Sequence, residues 1–185
     1  MTGECIDGEC WNGFGMMAVE NCNICGFNSD VIYEGEFKNG RFNGQGKLFY
    51  LNKMRYEGEF KNGKQNGRGT LIIKSERKYV GDWRDGRENG CGTETQSCGI
   101  RYDGEWLEGK YHGRGTLILP DGSRYDGKFV NGRFHGPGTF IFPNGNKYVG
   151  RWKDGRKNGY GIETLVDGTR HEGIWENNRF VKGLN

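Results

Sequence analysis

The stretch Arg124-Tyr125-Asp126-Gly127-Lys128-Phe129, followed after Val130-Asn131-Gly132-Arg133-Phe134-His135 by Gly136-Pro137-Gly138-Thr139-Phe140-Ile141-Phe142, decides the fold. Successive side chains of an extended chain point to opposite faces. Tyr125, Gly127 and Phe129 therefore share one face of a strand, and the charged residues between them share the other. Gly138, Phe140 and Phe142 alternate in the same way in the second run. The loop between the runs is short, so the pair reads as a hairpin. Pro120-Asp121-Gly122-Ser123 before it and Pro143-Asn144-Gly145-Asn146 after it are tight-turn signals.

The same pattern spreads outward in both directions. Tyr33, Tyr56, Tyr79, Tyr102, Tyr125 and Tyr148 are each 23 residues apart, and His171 stands where the next would fall. Gly follows each two residues later, and Phe or Trp two residues after that: Phe37, Phe60, Trp83, Trp106, Phe129, Trp152 and Trp175. A Gly-x-Gly pair closes each unit, as at Gly44/Gly46 and Gly159/Gly161. The spacing predicts six 23-residue repeats over residues 33–170. A degenerate first repeat with a Cys-bearing insertion precedes them over 1–32, and a partial C-terminal capping repeat follows over 171–185. Gly3, Cys5 and Gly8 read as that first unit, with Cys5 in the aromatic place. The abrupt start reads as a segment of a longer array. The expected fold is all-β: an elongated, twisted antiparallel meander, or solenoid, advancing roughly 10 Å per two-stranded repeat.

Composition agrees with a thin ring-lined structure. The chain has 185 residues, of which 35 are Gly and only 3 Pro. Its mean hydropathy is −0.87, which alone would point to disorder. Aromatic residues at 14% argue for order instead. No run approaches the roughly 20 apolar residues of a membrane helix, and no targeting signal or Asn-x-Ser/Thr site is seen. The expected setting is reducing: cytoplasmic, at the cytoskeleton or the inner face of a membrane. Net charge is +3, unevenly placed: residues 1–32 hold five acids and no Lys or Arg.

Tyr-x-Gly-x-Trp/Phe-x-x-Gly-x-x-x-Gly-x-Gly at this period resembles the MORN repeat (Membrane Occupation and Recognition Nexus) over residues 33–180. Within the family the resemblance is nearest to the cytoskeletal MORN scaffolds of apicomplexan parasites. It implies a non-enzymatic scaffold that organises a cytoskeletal or membrane-associated assembly through cytoskeletal or scaffold-protein partners.

Enzyme signatures are missing from the residues. Each Gly-x-Gly opens a strand, with no helix N-terminus after it to hold a phosphate. The carboxylates alternate with basic residues on a charged strand face, as a solvated cross-strand ladder would. We expect no enzyme and no nucleic-acid partner.

Three binding expectations follow. Cys22-x-x-Cys25 has knuckle spacing, and with Cys5 and Cys10 it would make an all-cysteine zinc site, although four free thiols explain the residues as well. Arg41, Lys64, Arg87, Lys110, Arg133, Arg156 and Arg179 recur eight residues after each Tyr or His171, at the loop tips. That row would serve an anionic-lipid edge, the alternative function being a peripheral membrane module for phosphoinositides. An open meander also ends in an unpaired strand. With His171, Trp175 and Phe180 there, the expectation is a homodimer through the C-terminal repeats, two-fold and tail to tail.

Overall fold

The computed structural model describes residues 4–24, 27–50 and 54–183, without the side chains of residues 20–30. These residues form sixteen strands and no helix. The chain divides into two units, Met1–Ser97 and Cys98–Asn185. The first holds β1 (Glu4–Gly8), β2 (Gly13–Ile24), β3 (Phe27–Lys38), β4 (Arg41–Tyr50), β5 (Met54–Lys61), β6 (Lys64–Ile73), β7 (Arg77–Arg84) and β8 (Arg87–Gln96). The second holds β9 (Arg101–Leu107), β10 (Lys110–Ile118), β11 (Arg124–Val130), β12 (Arg133–Ile141), β13 (Lys147–Lys153), β14 (Arg156–Thr164), β15 (Arg170–Glu176) and β16 (Arg179–Gly183). Within each unit every strand pairs antiparallel with its sequence neighbours, and each repeat is one hairpin.

From β3 onward two residues close the hairpin of each repeat. Asn131 and Gly132 have φ of 51° and 80°, Asn39 and Gly40 52° and 65°. Two successive positive φ values define the type I′ turn, whose twist matches that of the strands it joins. The last hairpin closes through Asn177 and Asn178 at 48° and 71°. The turn N–H also reaches sideways: that of Gly132 donates to the Tyr111 carbonyl of the preceding repeat at 2.8 Å, and that of Gly155 to Phe134 at 2.9 Å.

Past the turn a bulge interrupts each ladder. Phe37 faces Phe42 and Gly35 faces Gly46, so β4 carries extra residues opposite Glu36. Its carboxylate accepts the N–H of Gln45 at 2.8 Å. Glu59 does the same for Arg68, Asp82 for Cys91 and Glu105 for Arg114, at 2.7–2.9 Å. In the fifth repeat the facing residue is Lys128, and the donor position is Pro137, which has no N–H to satisfy.

The core is a layer of rings lying on glycine. Gly127 and Gly138 face each other across β11 and β12, and Gly138 faces Gly150 of β13. The tyrosine ring covers this glycine row and its hydroxyl donates to the carbonyl three residues on. The distance is 3.0 Å from Tyr125 to Lys128 and 2.8 Å from Tyr102 to Glu105. Within a unit the tyrosines meet edge-on rings from their own repeat and the next: Tyr125 with Phe129 at 5.1 Å and Trp152 at 5.6 Å. The indole N–H of Trp152 in turn donates to the Gly138 carbonyl at 3.3 Å. The six tyrosines at the repeat position are all buried, although the sheet under each is a single layer.

A second ring position lies nine residues after the tyrosine. Phe42, Tyr111 and Phe134 stack flat on Tyr33, Tyr102 and Tyr125, with centroids 3.8 Å apart. The third and sixth repeats break this apolar pattern alike. There the stacking place holds Glu88 or Lys157, and Glu94 and Glu163 replace the leucine found at Leu48, Leu71 and Leu117. Arg77 bridges Glu88 at 3.0 Å and Glu94 at 2.9 Å. Lys157 pairs with Glu163, its ammonium lying over Trp175, Tyr148 and Phe142 at 4.5–5.2 Å from the ring centres.

Candidate interaction surfaces

The ring layer covers itself, so the surfaces left are the charged face, the hairpin tips and the strand edges. All seven tip cations from Arg41 to Arg179 are exposed. Each stands directly across from the residue before the turn, because a two-residue turn makes its flanking residues direct partners. Those partners are Lys38, Lys61, Arg84, Leu107, Val130, Lys153 and Glu176. Four tips thus carry two cations each, and three of those four lie in the first unit. Sequence spacing picks out one member of each pair; the Asn-Gly or Asp-Gly turn between the strands is the signal for the other.

The second basic row, one residue before the tyrosine, meets acids at several places. Arg124 bonds Asp126 at 2.7 Å, Arg170 bonds Glu172 at 2.7 Å, and Arg101 lies 3.5 Å from Asp103. Asp126 is held below the usual carboxylate range by Arg124 and Thr116, although burial pushes the other way. Val80 and Val149 stand where that acid would be beside Lys78 and Lys147.

At the C-terminal end, Trp175 is only 3% exposed. Its indole N–H donates to Gly161 at 3.2 Å, and its ring meets Tyr148 at 5.4 Å and Phe180 at 5.3 Å. His171 is half-buried against Phe180 at 5.7 Å. Phe180 and Val181 are 41% and 55% exposed. The three residues read from the sequence come together, but Trp175 is already spent on the fold and Phe180 faces outward.

The N-terminal cysteines divide. Cys5 and Cys10 are joined by a disulfide, and a bonded pair offers no thiolate to a metal. Cys25 and the side chain of Cys22 lie outside the described residues. Among the described residues no group of three or more His, Cys, Asp or Glu side chains has metal-binding geometry. Gly8 faces Gly15, the pairing that Gly35 and Gly46 make, so Cys10 rather than Cys5 takes the place of the ring. Cys91 and Cys98 are exposed thiols. His135 Nδ1 lies 4.0 Å from Asp154.

Tandem hairpins of 23 residues with tyrosine seated on paired glycines define a β-repeat protein. Family comparison matches the MORN repeat at residues 33–54, 56–75, 79–97, 102–124, 125–147 and 148–170, and the chain belongs to the MORN repeat family. No curated protein matches it. Among solved structures, it is similar to the TCP domain of SAS-4 (dCPAP) of Drosophila melanogaster, in complex with a proline-rich motif of Ana2 (dSTIL). The TM-score is 0.49 and the identity 10%, over 94% of this chain and 90% of that one.

Proposed function

We propose that the protein is a non-enzymatic scaffold that dimerises through its C-terminal repeats and organises a cytoskeletal or membrane-associated assembly. The observation that carries the reading is β16, which pairs with β15 on one side and presents Phe180 and Val181 to solvent. A strand with open backbone groups and apolar side chains is a template for another strand, and two copies of it pair about a two-fold axis. Ring packing within and between the repeats of a unit makes each unit a stiff platform on which partners can be placed. The expected setting is cytoplasmic, at the cytoskeleton or the inner face of a membrane. Light scattering on the full chain tests the dimer: Phe180→Asp should give a monomer with unchanged circular dichroism. A dimer surviving that change places the contact elsewhere. Trp175→Ala is the poorer probe, because it opens the core.

A second reading rests on the exposed tip cations. Under it the edge meets anionic phosphoinositide headgroups, at about 1 kcal/mol per charge near the surface. Reversing Arg41, Arg87, Arg133 and Arg156 would then abolish sedimentation with phosphoinositide vesicles while dimerisation persists.

A further inference from the structure

We propose that the hairpin tips of the first unit form a docking edge for an extended acidic polypeptide whose acids recur at every third residue. This goes beyond the scaffold reading and does not depend on dimerisation. Lys38 stands directly across from Arg41, Lys61 from Lys64, and Arg84 from Arg87, all exposed. Like charges set opposite each other weaken a hairpin, yet three successive tips carry them. In the second unit Leu107, Val130 and Glu176 occupy three of the four corresponding places.

Behind each of these tips on the same face stands an amide: Asn43, Asn66 and Asn89. Asn43 and Asn66 line a cleft of about 680 Å³ between the first two tips, with Lys38, Arg41 and Lys61 on its walls. Asn89 is 8% exposed, and its Nδ2 has no hydrogen-bond partner. A buried donor without an acceptor is costly, so the Asn89 amide gains by turning outward to an acceptor at the edge. In the second unit His112 and His135 hold two of the equivalent positions. Glu59 shares the wall of that cleft, and Glu36, Glu59 and Asp82 each point one oxygen at a backbone N–H of their own bulge, which holds these carboxylates in place without removing their charge. Asp85, in the third turn, is exposed and tempers the charge of that tip.

Spacing selects the ligand. Each repeat advances roughly 10 Å, two strand widths. A polyproline-type chain advances about 9 Å per three residues and returns every third side chain to the same side. One acid per turn therefore meets one pair of cations per repeat, while main-chain carbonyls come within reach of the amides. Tips roughly 10 Å apart are about one Debye length from each other in physiological salt, so each acts mainly on its own acid. A flat layer of lipid headgroups would engage the protruding cations and leave the recessed amides untouched, which favours a polypeptide.

The test is fluorescence anisotropy of the full chain with a labelled peptide of three Glu-Pro-Pro triplets, in physiological salt. A permuted peptide of the same composition, with its three acids contiguous, is the control. The spaced peptide should bind at least roughly tenfold more tightly than the permuted one. Lys38→Ala/Lys61→Ala/Arg84→Ala should abolish binding. Asn66→Ala, and Asn66→Ala/Asn89→Ala if its melting is unchanged, should weaken it several-fold with no change in charge. Equal affinity for the two peptides, or indifference to the Asn66 change, would overturn the proposal in favour of unspecific attraction. No peptide binding, with phosphatidylserine vesicles pelleting the wild type but not the triple variant, would overturn it in favour of a membrane edge.

Discussion

Tyr148 lies so close over Gly161 that a β-carbon there would sit 2.2 Å from the tyrosine hydroxyl oxygen. The hydroxyl reaches past the glycine row to donate to the Arg151 carbonyl at 3.1 Å. Burial of one ring per repeat is thus possible in a single layer because the strand beneath it has no side chain at the point of contact. The rings of Trp152 and Trp175 close the sides.

Gly161→Ala should therefore be much more damaging than its one added methyl suggests. Overpacking of this kind costs about 3 kcal/mol, while Tyr148→Phe, which loses one hydrogen bond, should cost about 1 kcal/mol. Urea midpoints of the two variants measure the difference. A Gly161→Ala variant as stable as the wild type would mean that the ring is not seated as described.

Burial raises the Tyr148 hydroxyl to about 12, with the Glu163 carboxylate acting in the same direction. It raises Tyr33, Tyr79, Tyr102 and Tyr125 as well. The unfolded chain, at the ordinary value of about 10, ionises first. Stability from these groups is whole below about pH 10 and is lost as pH rises through the folded-state values. Urea midpoints should hold steady below that pH and fall steeply above it. A flat profile between about pH 9 and 11.5 would contradict the buried hydroxyls.

The 23-residue period, the hairpin unit and the Tyr-Gly-aromatic face were all legible because they depend on residue types that barely vary. The stacking position was not. Phe42, Tyr111 and Phe134 alternate with Gln65, Glu88 and Lys157, so no single residue type marks it. Gly-x-Gly was legible as a pair that opens a strand, but its two glycines differ in task. Gly159 turns the bulge at φ 90°, and Gly161 lies under the ring. At the C-terminal end the sequence brought Trp175 and Phe180 together, whereas the burial of Trp175 depends on packing against Tyr148 and Lys157 and Phe180 stays exposed.

The ion pair in the sixth repeat should be replaceable but not divisible. Breaking a buried pair costs roughly 3–5 kcal/mol, whereas exchanging both partners for well-packed apolar groups is often neutral or better. Glu163→Leu alone should destabilise strongly, because it strands the ammonium of Lys157. Lys157→Phe/Glu163→Phe, which copies Phe134 and Phe140 of the fifth repeat, should recover wild-type stability or exceed it. Thermal melts of the single and double variants decide, and equal losses in both would contradict the pairing.

Carboxylates at the bulges should matter only where there is an N–H to receive. Glu105→Ala should cost about 1–3 kcal/mol, since the Arg114 N–H loses a charged acceptor. Lys128→Glu should bring no stabilisation while Pro137 stands opposite, and should bring some once Pro137→Ala restores the donor. A double-mutant cycle by chemical denaturation measures that coupling. Zero coupling would remove the bulge role assigned to these acids.

Hydrogen exchange read by mass spectrometry on β16, at low and high protein concentration, tests the dimerising scaffold most directly. If two copies join along this strand, amides from Arg179 to Gly183 should gain protection as concentration rises, and Phe180→Asp should erase the gain. Fast exchange of β16 at every concentration, in a chain whose other strands are protected, would contradict the account.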